Sequence, residues 1–299
     1  MGIVVVGSVA FDDVITPFGK NLNAPGGSAT FFSLSASYFT KVKLVAVVGN
    51  DFPKKYIRLL EKKGVDTEGL RIEKGKTFRW KGRYSWDLNT AETLKLQLNL
   101  FQDFSPELPE DYRDEDMLFL ANIDPDLQLK VLKQVHSPKL IAADTIDYWI
   151  EHKRKSLLKV LKKIDILIIN EAEARKLTKE SNLCKAGKRI ISYGPGSVVI
   201  KKGEHGVMLV SKEGIFAYPA FPLDDVCDPT GAGDTFAGGF LGYLSGLKSI
   251  NEAAIRRALV YGNIMASFNV EGYDIKVLSK LNRAKIDKRV KAFRRVCSF

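Results

Sequence analysis

The sequence predicts an α/β fold in which a mostly parallel sheet carries helices on both faces. Short runs rich in β-branched residues have the composition of buried strands, at 3–6, 44–48, 117–120, 140–143, 166–169 and 198–200. Segments with helical periodicity lie between them, at 29–39, 54–63, 127–135, 155–163 and 171–177. Strands that alternate with helices pair in parallel, so this order predicts a helix layer on each side of one sheet.

One domain spanning residues 1–299 is the simplest organisation. No linker rich in Pro or Gly divides the chain, and no internal repeat is visible. One region breaks the alternation, because aromatic residues occupy four of the five even positions from 78 to 86 and leucines occupy every second position from 94 to 100. A period of two predicts half-buried strands, and two such stretches in succession predict an antiparallel pair.

We expect this pair to be a small flap over one end of the sheet, a lid built from about residues 11–24 and 76–101. An edge hairpin without a functional role is the alternative. The aromatic side chains of this region are suited to covering a bound ligand. They would equally suit a lid-to-lid contact in a homodimer. They are Phe11, Phe78, Trp80, Tyr84 and Trp86.

Composition narrows the function classes. The chain is 45% hydrophobic and 27% charged, as in an ordinary globular enzyme. No apolar run approaches the roughly 18 residues of a membrane helix, so we expect no membrane contact. The N-terminus runs into a strand-like sequence without a basic leader, which favours the cytoplasm. The three cysteines of the chain lack CxxC spacing, which argues against a disulfide framework or a zinc site.

The net charge of +11 raises the question of nucleic-acid binding. The basic residues are spread along the chain, apart from a cluster at 285–295. In that segment Ile286, Val290 and Phe293 recur at helical spacing, which predicts an amphipathic helix. We therefore interpret the cluster as a solvated helix face and expect no nucleic-acid partner.

The stretch from Asp228 to Phe240 carries the strongest chemical signal. A glycine-rich turn after Pro229 precedes a run that can form a helix. Such a turn brings several N–H groups together at a helix N-terminus, where anions bind. Asp234 would repel a bound anion, but it suits a base that takes the proton of a substrate hydroxyl facing a phosphoryl group. The alternative is that Asp234 only complements the helix dipole.

This block closely resembles the signature of the ribokinase-like (PfkB) family of carbohydrate and nucleoside kinases. The resemblance implies a three-layer α/β/α fold with a mostly parallel sheet and a small β-strand lid. It also implies that Asp234 is the catalytic base, and that the N–H groups of Gly231, Ala232 and Gly233 hold the charge that develops during transfer. Thr230, just before them, is expected at the nucleotide.

Further segments follow the family's order, so the resemblance covers nearly the whole chain. Asp12 is similar to the family's aspartate that binds sugar hydroxyls, although adjacent Asp13 could take that role and Asp12 could cap a turn. Gly26, Gly27 and Ser28 resemble its di-glycine element, which acts as a lid hinge and touches substrate. An ordinary turn is the alternative explanation for the two glycines.

The remaining segments concern the nucleotide. Asn170 and Glu173 match the family's N-x-x-E motif, which implies that they organise Mg²⁺ and phosphate through water. A helix cap followed by a surface acid is the alternative. Lys202, Gly203 and Gly206 resemble the turn that flanks the nucleotide, with a plain hairpin as the alternative.

The adenine pocket is expected to involve the region after residue 206, the loop at 219–221 and the helix around Asn263. Neither a P-loop nor the protein-kinase motifs occur, so phosphate is held in another way.

Together these features predict a phosphotransferase that uses ATP and Mg²⁺ to phosphorylate a hydroxyl of a small sugar or polyol. A nucleoside kinase is the first alternative, because an aromatic lid suits a flat partner. A non-catalytic family member that binds nucleotide or sugar is the second.

Overall fold

A computed structural model of the protein describes residues 2–298. The strands in that range are Gly2–Val6 (β1), Ala10–Thr16 (β2), Gly19–Gly26 (β3), Lys41–Gly49 (β4), Val65–Asp66 (β5), Leu70–Glu73 (β6), Phe78–Tyr84 (β7), Ala91–Gln97 (β8), Met117–Leu120 (β9), Leu140–Asp144 (β10), Ile166–Asn170 (β11), Ser197–Lys201 (β12), Val207–Ser211 (β13) and Gly214–Tyr218 (β14).

The α-helices in the same range are Ser28–Ala36 (α1), Lys54–Lys62 (α2), Pro125–Val131 (α3), Asp147–His152 (α4), Arg154–Leu161 (α5), Glu171–Thr178 (α6), Leu183–Ser192 (α7), Ala232–Ser245 (α8), Glu252–Asn269 (α9), Lys276–Ser279 (α10) and Arg283–Val296 (α11). No helix within residues 2–298 combines the length and the apolar character needed to cross a membrane.

The main sheet follows the order β14-β13-β12-β11-β10-β9-β1-β4-β5, with β6 also beside β4. All pairs from β12 to β5 are parallel, and the hairpin β13–β14 extends one edge in the antiparallel sense. The carboxyl ends of the parallel strands therefore meet at one edge. In open α/β sheets this is the edge where ligands bind.

Hydrophobic cores cover both faces of this sheet, which confirms the three-layer prediction. In β1, Ile3 and Val5 join the core beneath α1, α8, α9 and α11, whereas Val4 and Val6 join the core beneath α5, α6 and α7. Alternate residues of a strand point to opposite faces, so a strand that is apolar throughout must be covered on both sides.

Helix α8 is buried between α1 and α9, and this explains its glycines. A Cβ at Gly238 would lie 2.4 Å from the backbone oxygen of Phe32 in α1. A Cβ at Gly239 would lie 2.7 Å from the side chain of Met265 in α9. Interior glycines cost a helix about 1 kcal/mol each relative to alanine. Here they allow close helix packing, which holds the N-terminus of α8 in place.

A second sheet of four strands, in the order β3-β2-β7-β8, lies apart from the main sheet. We call it the small sheet. Its β7–β8 pair is antiparallel, as the alternation at 78–86 and 94–100 predicts, and β2 and β3 supply the segment expected near 11–24.

The leucines of the small sheet are more exposed than the sequence predicts. Half-burial was expected, but Leu94, Leu96 and Leu98 are exposed, and Leu96 is 55% exposed. Strand β8 ends at Gln97, and a 3₁₀ turn, Asn99–Asp103, follows it. These leucines are exposed because no other described element covers this face.

The basic C-terminal segment forms α11, as predicted. Ile286, Val290 and Phe293 are buried against the main core. Arg289 pairs with Glu271 at 2.9 Å and lies over the ring of Phe268. The other basic side chains of this helix face outward, in agreement with a solvated helix face.

Candidate active site

The N-terminus of α8 is built on a turn that favours glycine. Gly231 precedes the helix with φ at 72°, in the left-handed region. A Cβ there would also lie 2.3 Å from the ring of Phe31. Backbone angle and packing thus both require glycine, and the turn points its amides towards the carboxyl edge of the main sheet.

The amides of this turn are not equivalent. The N–H of Ala232 donates to the carbonyl of Pro229 at 3.1 Å, which closes the turn. Within residues 2–298 no acceptor is found for the N–H groups of Gly231 and Gly233. Because the first N–H groups of a helix lack an intrahelical acceptor, these two amides are the ones free to bind an anion.

Asp234 lies in the first turn of α8, half-buried beside these amides. Burial, followed by the charge of Asp144, raises the pKa of Asp234 to about 7, although Lys201 and the residue's own N–H act in the opposite direction. A carboxyl group with this pKa exchanges protons readily near neutral pH, which is the property required of a general base.

Asp12 in β2 is a second buried carboxylate of the same site. Its Oδ2 accepts from the N–H of Gly27 at 3.3 Å. Burial raises the pKa of Asp12 to about 7; the Gly27 N–H opposes this shift, and the charges of Asp234 and Asp228 add to it. Asp12 and Asp234 therefore lie close enough to interact, which brings the two ends of the predicted site together.

The di-glycine element packs tightly around Asp12. A Cβ at Gly26 would lie 1.8 Å from the Asp12 carboxylate, and one at Gly27 would lie 2.5 Å from the carbonyl of Ser8. Ser28 is buried, and its hydroxyl lies 3.1 Å from that of Ser8. Ser28 thus holds the turn that carries Gly27, and the Gly27 N–H orients Asp12.

The loop before α8 is anchored by side chains from three elements. Asp228 accepts from the N–H of Thr230 at 2.8 Å. Asn269, at the end of α9, donates to the carbonyl of Thr230 at 2.7 Å and accepts from the hydroxyl of Thr235 at 3.2 Å. The Thr230 hydroxyl donates to that of Tyr84, at 3.3 Å, so the small sheet also contacts this loop.

Asn170 and Glu173 form a reciprocal cap at the start of α6. The N–H of Glu173 donates to Asn170 Oδ1 at 2.8 Å, and the N–H of Asn170 donates to Glu173 Oε2 at 2.9 Å. Burial and the charge of Asp144 raise the pKa of Glu173 to about 8, although Lys201 lowers it. The helix-cap explanation therefore holds, while a buried carboxylate of this kind also fits a cation.

The predicted nucleotide turn connects β12 and β13. The N–H of Lys202 donates to the Gly206 carbonyl at 2.8 Å. Gly206 has φ at 89°, and a Cβ there would lie 2.1 Å from the carbonyl of Tyr218. Gly203 has φ at 54° and lies near Asn89, at the tip of the small sheet.

Asn263, the last of the predicted site residues, lies in α9. Its side-chain amide donates to the Pro219 carbonyl at 3.0 Å, so it tethers the loop that follows β14.

Sequence reasoning missed Asp144, Lys201 and Asn269. Asp144 and Lys201 end strands β10 and β12, and their side chains form an ion pair at 3.2 Å. The available signal was a charged residue directly after an apolar strand, which in a parallel sheet marks the ligand edge. Asn269 carried no comparable signal, because its role depends on how α9 packs beside the loop before α8.

The profile of the pfkB family of carbohydrate kinases matches residues 4–275. A cytidine kinase of Thermococcus kodakarensis is 33% identical over 253 residues, which cover 82% of this chain and 90% of that protein. The chain belongs to the pfkB family. The resemblance inferred from the motifs is thereby confirmed.

Solved structures show the same fold for this pfkB member. The nucleoside kinase of Methanocaldococcus jannaschii, an archaeal member of the ribokinase family, superposes with a TM-score of 0.78 at 20% identity, covering 97% of this chain and 98% of that one. The aminoimidazole riboside kinase of Salmonella enterica, complexed with aminoimidazole riboside and an ATP analog, gives 0.78 at 18% identity, covering 97% and 100%.

The chemistry of the site agrees with membership of this kinase family. Two free amides and the ammonium of Lys201 can bind phosphate, and the buried carboxylates of Glu173 and Asp144 can balance a cation. Asp234 lies beside these amides in the first turn of α8. This combination suits phosphoryl transfer, which depends on positioning and charge stabilisation.

Proposed function

We propose that the protein is an ATP-dependent nucleoside kinase, which transfers a phosphoryl group to a hydroxyl on the sugar of a nucleoside. The observation that carries the proposal is a pair of neighbouring carboxylates, buried Asp12 and half-buried Asp234, at a turn with free amides, in a chain 33% identical to a cytidine kinase over most of its length. The similarity favours the nucleoside alternative over the sugar or polyol substrate that the sequence suggested first.

In the proposed mechanism Asp234 is the general base. The acceptor hydroxyl lies between its carboxylate and the phosphoryl group, and its proton passes to the carboxylate as the new O–P bond forms. The N–H groups of Gly231 and Gly233 stabilise the oxygens of the transferred group. Asp12 and the Gly27 turn orient the acceptor by hydrogen-bonding its other sugar hydroxyls.

ATP is the proposed phosphoryl donor. The turn Gly203–His205 and the loop before α8 flank its phosphates, which the free amides and Lys201 neutralise. A cavity of about 690 Å³ is lined by Phe221, Phe268 and Arg289. Phe268 directly precedes Asn269, whose side chain donates to the Thr230 carbonyl. This position supports the cavity as the space for the adenosine end of ATP, beside the predicted loop at 219–221.

Mg²⁺ is the proposed metal cofactor. Burial and the charge of Asp144 raise the pKa of the buried Glu173 carboxyl to about 8, and Lys201 offsets this only in part, which supports a bound cation beside it. Glu173 and Asn170 would hold the ion through water, and its chemistry would be to neutralise the phosphates.

The small sheet is the proposed lid. The Tyr84 hydroxyl contacts Thr230, and Asn89 donates to Glu204 at 3.4 Å, so this sheet spans the acceptor and donor sides of the site. A cover of this kind excludes water and limits wasteful hydrolysis of ATP.

The exposed face of the small sheet supports a homodimer. Its apolar side chains are Phe18, Leu22, Trp86, Leu94, Leu96 and Leu98. We propose that a second copy of the chain covers this face, because so many large apolar side chains exposed on one small sheet are unusual on a monomer.

The test is an ADP-release assay coupled to product analysis, run over cytidine, other nucleosides, pentoses, hexoses and inositol. We expect the highest kcat/KM with a nucleoside, and a turnover lower by about 10²–10⁴-fold in the Asp234→Asn variant run in parallel. Higher kcat/KM with a free sugar or polyol would support the sugar or polyol kinase that the sequence suggested first. ATP binding without ADP release for any acceptor would support a non-catalytic member of the family.

A further inference from the structure

Lys201 is a charged residue that the proposed mechanism uses only loosely. It ends β12, directly opposite Asn170 in the neighbouring strand β11. Its side chain is only 17% exposed, and its Nζ lies 3.2 Å from Asp144 Oδ2. Burial acts to lower the pKa of Lys201, but the charges of Asp144, Glu173 and Asp234 raise it above the ordinary value. The side chain is therefore a cation among three acids of the site.

The ammonium of Lys201 lies against the amide turn of α8. A Cβ at Gly233 would lie 2.9 Å from Lys201 Nζ, so the ammonium lies directly beside the backbone of Gly233, whose N–H has no acceptor within residues 2–298. The N-terminus of a helix carries partial positive charge and repels a cation. Asp234, in the same turn, offsets part of this repulsion. An anion bound between the ammonium and the amides would offset the rest.

Charge neutralisation of Asp144 accounts for only part of the position of the Lys201 ammonium. An ion pair with Asp144 needs no particular approach to α8. Lysine is a point charge on a flexible stem, with three donors that can be divided among several acceptors. Lys201 can therefore hold Asp144 in the ligand-free site and turn one donor to a phosphate oxygen when nucleotide binds.

We propose that Lys201 is a further catalytic residue, whose ammonium contacts the phosphoryl group in transit together with the N–H of Gly233. The inference rests on the proposed function. During transfer the acceptor oxygen bonds to the γ-phosphorus, the bond from that phosphorus to the β–γ bridging oxygen breaks, and ADP leaves. The acceptor's proton goes to Asp234, and Lys201 stays protonated throughout.

The experiment compares Lys201→Met with a matched control, Lys139→Met. Lys139 also pairs with an aspartate next to a main-sheet strand, Asp116, at 2.8 Å, but beside β9 and β10 at the opposite edge of the sheet. We expect kcat to fall by about 10²–10³-fold for Lys201→Met, as for other groups that stabilise developing charge, and to be unchanged for Lys139→Met.

Binding supplies a readout that does not depend on turnover. Titration calorimetry without acceptor should show that Lys201→Met weakens ATP binding about tenfold or more, and ADP binding by less than about threefold, because only ATP carries the transferred group. Equal losses for both nucleotides would contradict the contact. Lys201→Arg keeps the charge and should retain part of the ATP preference.

A double variant separates catalysis from simple neutralisation. In Lys201→Met with Asp144→Asn, neither partner of the buried pair leaves an unpaired charge, so folding is protected. If Lys201 only neutralised Asp144, activity would return; we expect it to stay low. A wild-type protein that phosphorylates no nucleoside would refute the proposed function, and the ATP-versus-ADP comparison would still test Lys201. Active wild type with an equally active Lys201→Met would refute the inference alone.

Discussion

The hydroxyl of Tyr84, in the small sheet, accepts a hydrogen bond of 3.3 Å from the hydroxyl of Thr230, in the loop that begins α8. Burial raises the pKa of Tyr84; the bond from Thr230 opposes this, and the carboxylates of Asp228, Asp12 and Asp234 add to it. One side chain of the small sheet thus lies close enough to three carboxylates of the site to feel their charge.

Removal of this contact should weaken catalysis without unfolding the protein. Tyr84→Phe deletes only the hydroxyl, and we expect kcat/KM to fall about 3–10-fold, the worth of one hydrogen bond between neutral groups. Thr230→Val should have a similar effect. Steady-state kinetics on both single variants and the double variant form a mutant cycle; if the two losses simply added, the hydroxyls would not act as a pair.

The rate should depend on pH through Asp234. Its pKa is raised to about 7, and a base must be ionised, so kcat/KM should rise with pH and level off above about 7. Asp234→Asn should lower kcat by about 10²–10⁴-fold. A wild-type profile flat between pH 5.5 and 8.5, or a variant with more than about a tenth of wild-type turnover, would contradict its role as base.

The Asp234 carboxyl group should also make the folded protein less stable as pH rises. Its folded pKa lies above the ordinary unfolded value of about 4, so its stabilising contribution is present below that value and is lost as pH rises to about 7. Above pH 7, Asp234→Asn should therefore raise the free energy of unfolding by roughly 1–3 kcal/mol. Urea unfolding at pH 5 and pH 8 measures this; a variant less stable at pH 8 would oppose it.

Glu173→Gln should separate helix capping from metal use. Glutamine can still accept the Asn170 N–H, so the cap survives. The loss of charge should raise the Mg²⁺ concentration for half-maximal rate by about tenfold or more. Glu171→Gln, at a half-buried acid of the same turn that pairs with Arg175, is the control and should leave the Mg²⁺ dependence unchanged. An identical shift in both variants would indicate a general charge effect.

Gly231→Ala should destabilise the fold and disable the site together. Alanine at φ 72° is strained, and its Cβ would overlap the Phe31 ring. We expect a loss of about 2 kcal/mol or more in unfolding free energy. Gly246→Ala, at the other end of α8, is the matched control. The φ of Gly246 is −76°, and a Cβ there would have its nearest neighbour atom at 3.5 Å. Comparable stability of the two variants would show that the turn tolerates a side chain.

The homodimer proposal predicts that charge on the small sheet dissociates the protein. Leu96→Lys should shift sedimentation velocity from dimer to monomer, because it buries a charge in an apolar contact. Ile72→Lys is matched, since both side chains are 55% exposed but Ile72 lies in β6 of the main sheet. A wild type that sediments as a monomer at micromolar concentration would refute the proposal.

The sequence by itself predicted the layered α/β fold and a glycine-rich turn at the start of a helix, α8. Both are local properties, because apolar runs with strand or helix periods and glycine-rich turns depend on neighbouring residues. Strands β9, β10 and β11 were accordingly predicted to within one residue of their bounds. The predicted helix 29–39 ends earlier, at Ala36, where the chain turns towards β4.

Only the tertiary structure decided which charges meet. Asp144, Glu173, Lys201 and Asp234 come from four elements far apart in sequence, and sheet order together with the packing of α8 brings them together. It also decided that the N–H of Ala232 is occupied and that the leucines of β8 are exposed. Hydrogen-bond partners and burial depend on groups that a local pattern does not contain, and so these features could not be predicted from the sequence.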